Sequence, residues 1–263
     1  VTVRLLVLPW LVGCAPGLEG VLTVEQLPSE ALGTTYQYAT YVHPDAVLAP
    51  GAPWLLVTDG DQALEHAAES LDREVRRGNA APVVLVGIGR QASRDRDYTP
   101  WPETPADGVD DWDPDWGGGI EPFFDFVHEV VVPKAEGELG IGGAPEDRGV
   151  FGHSLGGLAA VWASTFDRAT FRRFGASSPS LWWDAAVPLS WERPAEPPVT
   201  LFTSIGSTEV PPMNVLFEAY VEAVARDRAV ALEVRRYHGR DHFTAPDKAL
   251  GDALSALFPA EAP

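Results

Sequence analysis

Arg148-Gly149-Val150-Phe151-Gly152-His153-Ser154-Leu155-Gly156-Gly157-Leu158 is the stretch whose reading decides the fold of this chain. A short, partly apolar run leads in, and the small-residue run Leu158-Ala159-Ala160-Val161-Trp162-Ala163 leads out as a helix. Between them lies a G-x-S-x-G pattern with Ser154 at its centre. Gly152 and Gly156 remove Cβ atoms that would clash in a tight strand-to-helix turn. Such an elbow lifts a serine hydroxyl above the carboxyl edge of a sheet and aims the N–H of Leu155 at the same point. In a chain with 25 glycines the bare pattern is weakly specific. Strand before and helix after give it the context it requires.

A serine is a poor nucleophile without a base to take its proton, and the base needs an acid to fix its tautomer. On such an elbow the partners follow in the order Ser, Asp or Glu, His. Only His238 and His242 come after Ser154. His242 lies in the polar loop His238-Gly239-Arg240-Asp241-His242-Phe243, behind a β-rich run at 230–234, where a catalytic base belongs. His238 is nearer the strand end and reads as structural. For the acid, a strand over 199–205 runs into Gly206-Ser207-Thr208-Glu209, which nominates Glu209. The competing reading of Glu209 is a helix N-terminal charge before Pro211-Pro212. Asp241 and Asp184 stand in reserve as acids.

Several separated segments carry a family resemblance: Ser29-Glu30-Ala31-Leu32-Gly33, Thr58-Asp59-Gly60-Asp61, Arg94-Asp95-Arg96-Asp97-Tyr98-Thr99-Pro100 and Gly152-His153-Ser154-Leu155-Gly156-Gly157. Ser178-Pro179-Ser180-Leu181-Trp182-Trp183-Asp184, Gly206-Ser207-Thr208-Glu209 and Gly239-Arg240-Asp241-His242 complete the set. Together they resemble the esterase branch of the α/β-hydrolase superfamily, which holds esterase D, enterobactin-type siderophore esterases, feruloyl esterases and mycolyltransferases. The resemblance implies an α/β-hydrolase fold with Ser154 as nucleophile, Glu209 as acid and His242 as base. It implies an oxyanion hole from the N–H groups of Leu155 and Asp61, although an aspartate at 61 departs from the apolar residue or glutamine expected there. The R-x-R-D-x-T-P and S-P-S-x-W-W segments lean toward the siderophore-esterase group. They nominate Arg94, Arg96, Tyr98, Trp182 and Trp183 as substrate-binding residues. The expectation is a serine carboxylic-ester hydrolase acting through an acyl-enzyme on small, siderophore-like, aryl or sugar esters, with no cofactor and no metal. The alternatives are an acyltransferase using the same three residues and a catalytically silent, surface-anchored binding lipoprotein.

The composition suits one soluble catalytic domain: 263 residues, 45% hydrophobic. A net charge of −19 disfavours nucleic acid and anionic membrane surfaces as partners. The acids are concentrated between Asp95 and Asp115. Six of the nine tryptophans (Trp101, Trp112, Trp116, Trp162, Trp182 and Trp183) fall between 101 and 183, suiting either aryl or sugar ligands or core packing.

A single cysteine, Cys14, excludes an internal disulfide. Arg4, the apolar Leu5-Leu6-Val7-Leu8 and Gly13 before Cys14 resemble a bacterial lipoprotein signal over residues 1–19, with the catalytic domain over 20–263. That reading predicts a lipid anchor at Cys14 and a cell-envelope or secreted protein. Its rivals are a first strand of the domain and a cytoplasmic location.

The rest of the chain alternates strands and helices, which implies a mostly parallel sheet covered on both faces. Strands are expected at 21–24, 36–42, 54–57, 82–86 and 174–177, and helices at 62–77, 121–134, 213–227 and 246–258. A long irregular segment is expected at 93–119. Gly87-Ile88-Gly89-Arg90-Gln91-Ala92 matches a dinucleotide fingerprint, but the charged, proline-broken run behind it offers no helix for a pyrophosphate. Asp111-Trp112-Asp113-Pro114-Asp115 spaces its carboxylates like a calcium loop. It lacks the loop's glycine and its closing glutamate, so it reads as a surface loop.

Overall fold

The computed structural model describes residues 11–13, 17–102, 116–183, 187–192, 194–195 and 197–260, without the side chains of 11–13 and 187. Its strands are β1 (Leu11–Gly13), β2 (Val21–Ser29), β3 (Thr34–Val42), β4 (Trp54–Thr58), β5 (Val84–Gly89), β6 (Arg148–His153), β7 (Arg173–Ser177), β8 (Val199–Gly206) and β9 (Val230–Tyr237). They form one nine-stranded sheet in the order β1-β2-β3-β5-β4-β6-β7-β8-β9. From β5 to β9 every pairing is parallel, and β1, β2 and β3 add an antiparallel flank. The sheet of the α/β-hydrolase fold is therefore as expected.

Burial on both faces explains the sequence of the central strands. β4 and β5 are buried at every position and read as continuous apolar runs rather than alternating ones. Successive side chains still point to opposite faces. Leu56, Val86, Val150 and Phe174 pack beneath helices α3 (Ile120–Phe126), α4 (Val132–Leu139), α5 (Leu155–Phe166) and α6 (Pro211–Val224). Leu55, Val57, Leu85 and Phe202 pack beneath α1 (Gly60–Arg76) and α7 (Pro246–Leu257). Helix α1 meets the sheet through Leu64, Ala67, Ala68 and Leu71, the spacing of one helical face.

Three expectations are corrected. β5 continues to Gly89, so the fingerprint glycines Gly87 and Gly89 lie within a strand paired to β3. Gly87 is glycine because α1 crosses there: a Cβ on Gly60 would meet the Gly87 backbone. The segment at 93–119 is not wholly irregular, since Arg94–Asp97 forms a short helix, α2. The single helix expected at 121–134 is α3 and α4 joined through a π-helical turn, Val127–Val131. Pro133 has no N–H and its ring opposes the carbonyl four residues earlier, so the ladder widens just before it. Within the segment read as a leader, Leu11, Val12 and Gly13 pair with Val24, Thr23 and Leu22. Residues 1–10, Cys14, the Asp111–Asp115 run and Asp184 lie outside the described residues. Among those described, no helix is long and apolar enough to cross a membrane.

The carboxyl ends of five parallel strands converge on one edge. After β4 comes Asp59, after β6 Ser154, after β7 Ser178, after β8 Glu209 and after β9 His242.

Candidate active site

Ser154 sits between β6 and α5 with φ 59° and ψ −119°, a conformation that residues bearing a Cβ rarely adopt. The surroundings hold it there. Its N–H donates to Ser177 O (3.0 Å), and its carbonyl accepts from Leu158 N–H (2.9 Å) and Ser180 N–H (3.0 Å). The flanking glycines are required: a Cβ on Gly152 would strike the Gly156 backbone, and one on Gly156 would strike Thr58 Oγ1. Close packing thus brings the turn after β4 against the elbow. The Ser154 hydroxyl lies 3.4 Å from Ser180 Oγ.

His242 and Glu209 are joined, His242 Nδ1 lying 3.0 Å from Glu209 Oε2. The Glu209 side chain is fully buried and the imidazole is 26% exposed. Burial pushes the Glu209 carboxyl up, but hydrogen bonds from His242 and Ser178 outweigh it and hold the group below its ordinary range. Glu209 is therefore a buried, ionised acceptor for Nδ1–H. Asp241, one of the reserve acids, is occupied locally: its carboxylate accepts from Phe243 N–H, Thr244 N–H and the Thr244 hydroxyl. His238 is exposed on the strand end.

His153 packs on His242 with ring centroids 4.5 Å apart, and its Nδ1 lies 3.2 Å from Ser177 Oγ. Burial, reinforced by the neighbouring His242, lowers its pKa to about 3. A neutral ring thus lies against His242.

Asp61 falls in the first turn of α1. The N–H groups of Gln62 and Ala63 bond Asp59 O, whereas the N–H of Asp61 belongs to the turn that has no acceptor within the helix. The Asp61 carboxylate turns to β5, where Oδ2 accepts from Gln91 N–H (3.1 Å). The preceding turn is pinned. Asp59 has φ 54°, its N–H donates to the Tyr98 phenol (2.8 Å), and its Oδ1 accepts from Arg94 Nε (2.8 Å). Arg94 Nη2 also reaches His153 O (3.2 Å), so one guanidinium ties this turn to the elbow.

That engagement changes how the residues nominated for substrate binding are placed. Arg94 is bonded to Asp59, and Tyr98 is buried behind it. Arg96 pairs with Asp97 and donates to the Tyr36 phenol (3.0 Å). Trp183 is fully buried and donates its indole N–H to Trp101 O (3.1 Å). Trp182 remains accessible, as do Trp116, tilted against Trp183, and Phe243, 86% exposed and edge-on to the His242 ring. Sequence reading passed over Phe243, His153, Ser178 and Ser180. The signal for His153, Ser178 and Ser180 was their place inside the motifs, and for Phe243 its adjacency to His242.

Residues 29–245 match the family described as "Putative esterase". The chain is 28% identical over 241 residues to the siderophore enterobactin esterase of Emericella nidulans, covering 76% of this chain and 78% of that protein. It is 29% identical over 184 residues to the ferri-bacillibactin esterase BesA of Bacillus subtilis, covering 64% of this chain and 59% of that one. The fold is similar to that of an IroE-like serine hydrolase from Shewanella oneidensis: TM-score 0.78, 23% identity, 90% of this chain and 80% of the other. With the family match spanning most of its length, the chain belongs to this esterase branch of the α/β hydrolases and is a carboxylic ester hydrolase of the serine type.

Proposed function

We propose that Ser154, His242 and Glu209 form a catalytic triad that opens ester bonds through an acyl-enzyme. The observation that carries this reading is the Glu209–His242 pair, whose imidazole packs on His153, the residue next to Ser154 in its elbow. The Ser154 hydroxyl attacks the ester carbonyl carbon while His242 Nε2 takes its proton. The carbonyl oxygen gains the negative charge and is met by the N–H groups of Leu155 and Asp61, usually the largest single catalytic contribution. Collapse breaks the carbon–oxygen bond to the alcohol, which leaves with the proton from His242. Water, deprotonated by the same nitrogen, then attacks the acyl carbon and releases the acid and Ser154. Glu209 stays ionised throughout and stabilises the imidazolium.

For substrate we propose an ester whose acyl or alcohol part carries an aromatic ring, the chemistry of aryl esters and siderophore esters. Exposed Trp182, Trp116 and Phe243 offer it faces to stack on, and relatives named as siderophore esterases support it. A panel of p-nitrophenyl, feruloyl, acetylated-sugar and catecholate-lactone esters tests the preference. In the same panel Ser154→Ala should lose about three orders of magnitude or more in kcat/KM with its fold intact. Retention of a tenth of the activity would refute the nucleophile.

A further inference from the structure

Ser178 is the first residue after β7; it is fully buried, with φ 43°. A residue with a Cβ is strained in this left-handed region, and such strain persists only where the surroundings over-determine it. Here they do. Ser178 N–H donates to Ser204 O (2.7 Å), and its hydroxyl donates to Glu209 Oε1. An ionised carboxylate only accepts, so the hydroxyl must be the donor. Gly206 N–H reaches the same oxygen (3.3 Å), while the other oxygen faces His242. Glycine would occupy the turn without strain but would bring no hydroxyl. The same short turn also reaches the nucleophile, since Ser180 N–H bonds Ser154 O and Ser180 Oγ lies beside Ser154 Oγ.

We infer that Ser178 is a positioning residue for the reaction: its buried hydroxyl fixes the Glu209 carboxylate in the orientation that meets His242 Nδ1. The inference rests on the triad reading above. Ser178 touches neither substrate nor base and acts only through Glu209. Its backbone strain is the cost of placing a hydroxyl, and no other described side chain bonds Oε1 of that carboxylate.

Two substitutions separate this role from simple packing, because they move stability in opposite senses. Ser178→Ala keeps the Cβ and the strain, whereas Ser178→Gly relieves the strain; both remove the hydroxyl. The expected result is a kcat loss of about tenfold in each with KM within about twofold. Thermal stability should be higher for Ser178→Gly than for Ser178→Ala. The titratable groups facing Glu209 are His242 and His153, and neither is altered. Without its donor the carboxyl is harder to ionise, so the loss should be larger at pH 5 than at pH 8. Ser178→Ala should cost nothing further in a Glu209→Gln background, as two changes acting through one group are not additive.

Three results would overturn the inference while leaving the triad standing. These are full activity in both variants, a loss confined to the less stable one, or a fully additive double variant. If Glu209→Gln alone were fully active, the triad reading would fail and the role of Ser178 with it.

Discussion

Two of the histidines that sit against carboxylates, His242 and His43, differ in how the ring is presented. His242 has one nitrogen on Glu209 and its ring 26% exposed, packed on His153. His43, beyond β3 on the antiparallel flank, is 1% exposed, with Nε2 3.8 Å from Asp72 Oδ1 and 3.7 Å from Glu19 Oε2. Its Nδ1 accepts from Asp45 N–H (3.1 Å), so both faces of the ring are turned into the protein. Asp72 is shared in turn: Oδ1 accepts from the Tyr41 hydroxyl (2.5 Å) and Oδ2 from Glu19 N–H (3.0 Å). The carboxylates beside His43 are too far for a hydrogen bond, and its Nε2 is buried without a hydrogen-bond partner. In the proposed triad, His242 differs from His43 in holding one buried carboxylate at hydrogen-bond distance while its ring stays partly exposed.

The widest separation between the two sites is expected on removing the rings. His242→Ala should lower kcat/KM by about three orders of magnitude or more, since no other group at the edge can take the Ser154 proton. His43→Ala should leave kcat within about twofold and instead lower unfolding free energy by about 1–3 kcal/mol, the cost of stranding buried partners. Steady-state assays and urea titrations on both variants check the contrast. Equal activity losses would erase it.

Changing the carboxylates sharpens the same comparison. Glu209→Gln should reduce kcat by about two to four orders of magnitude with little change in KM, because the ring loses its tautomer and the imidazolium its counter-charge. Asp72→Asn should leave kcat alone and lower the melting temperature by a few degrees, about 1–3 kcal/mol of lost hydrogen bonding. The stability effect of Glu209 also has a sign in pH. Its folded pKa lies below the ordinary 4.5, so its stabilisation is full above that value and is lost as pH falls through the lower folded value. The stability gap between wild type and Glu209→Gln should therefore shrink on acidification, in denaturant titrations from pH 7 down to 3.

The catalytic edge was more legible in the sequence than its supports. Gly152 and Gly156 announce the elbow because no other residue fits where they lie, and chain order then limits the base to two histidines. Strand ends at β8 and β9 placed Glu209 and His242 within reach of each other. The substrate-facing roles given to Arg94, Tyr98 and Trp183 were not legible in the same way. A conspicuous polar or aromatic motif looks alike whether it faces a ligand or braces a turn, and only packing separates the two. Arg94 on Asp59 and Trp183 on Trp101 O are long-range pairings that no local period encodes. Ser178 was hidden for a related reason. Nothing in Ser178-Pro179-Ser180 reveals a positive φ or a buried carboxylate partner 31 residues away. The π-helical turn before Pro133 is not legible because Pro133 lies at the end of the helix expected at 121–134, where a proline reads as a stop and not as a widened ladder.

A third carboxylate completes the series with the smallest effect. Asp167, at the end of α5, is pushed up to about 6 by burial, against hydrogen bonds from Thr170 and the charge of His128, with Asp125 adding to the rise. Its Oδ2 is buried without a hydrogen-bond partner, unlike either oxygen of Glu209. The sign is opposite to that of Glu209. Between its ordinary value of 3.8 and about 6 the folded chain holds more protons than the unfolded one, so stability falls as pH rises through that window. Asp167→Asn removes the charge and should stabilise the protein at pH 8 by about 1 kcal/mol, discounted for partial solvent access, which is about 2–4 °C in melting temperature. At pH 4 the gain should vanish. Ester hydrolysis should not change, because the length of α5, about 18 Å for its 12 residues, separates Asp167 from Ser154. Melting curves at the two pH values decide it: an equal gain at both would mean that packing, not the buried charge, sets the effect.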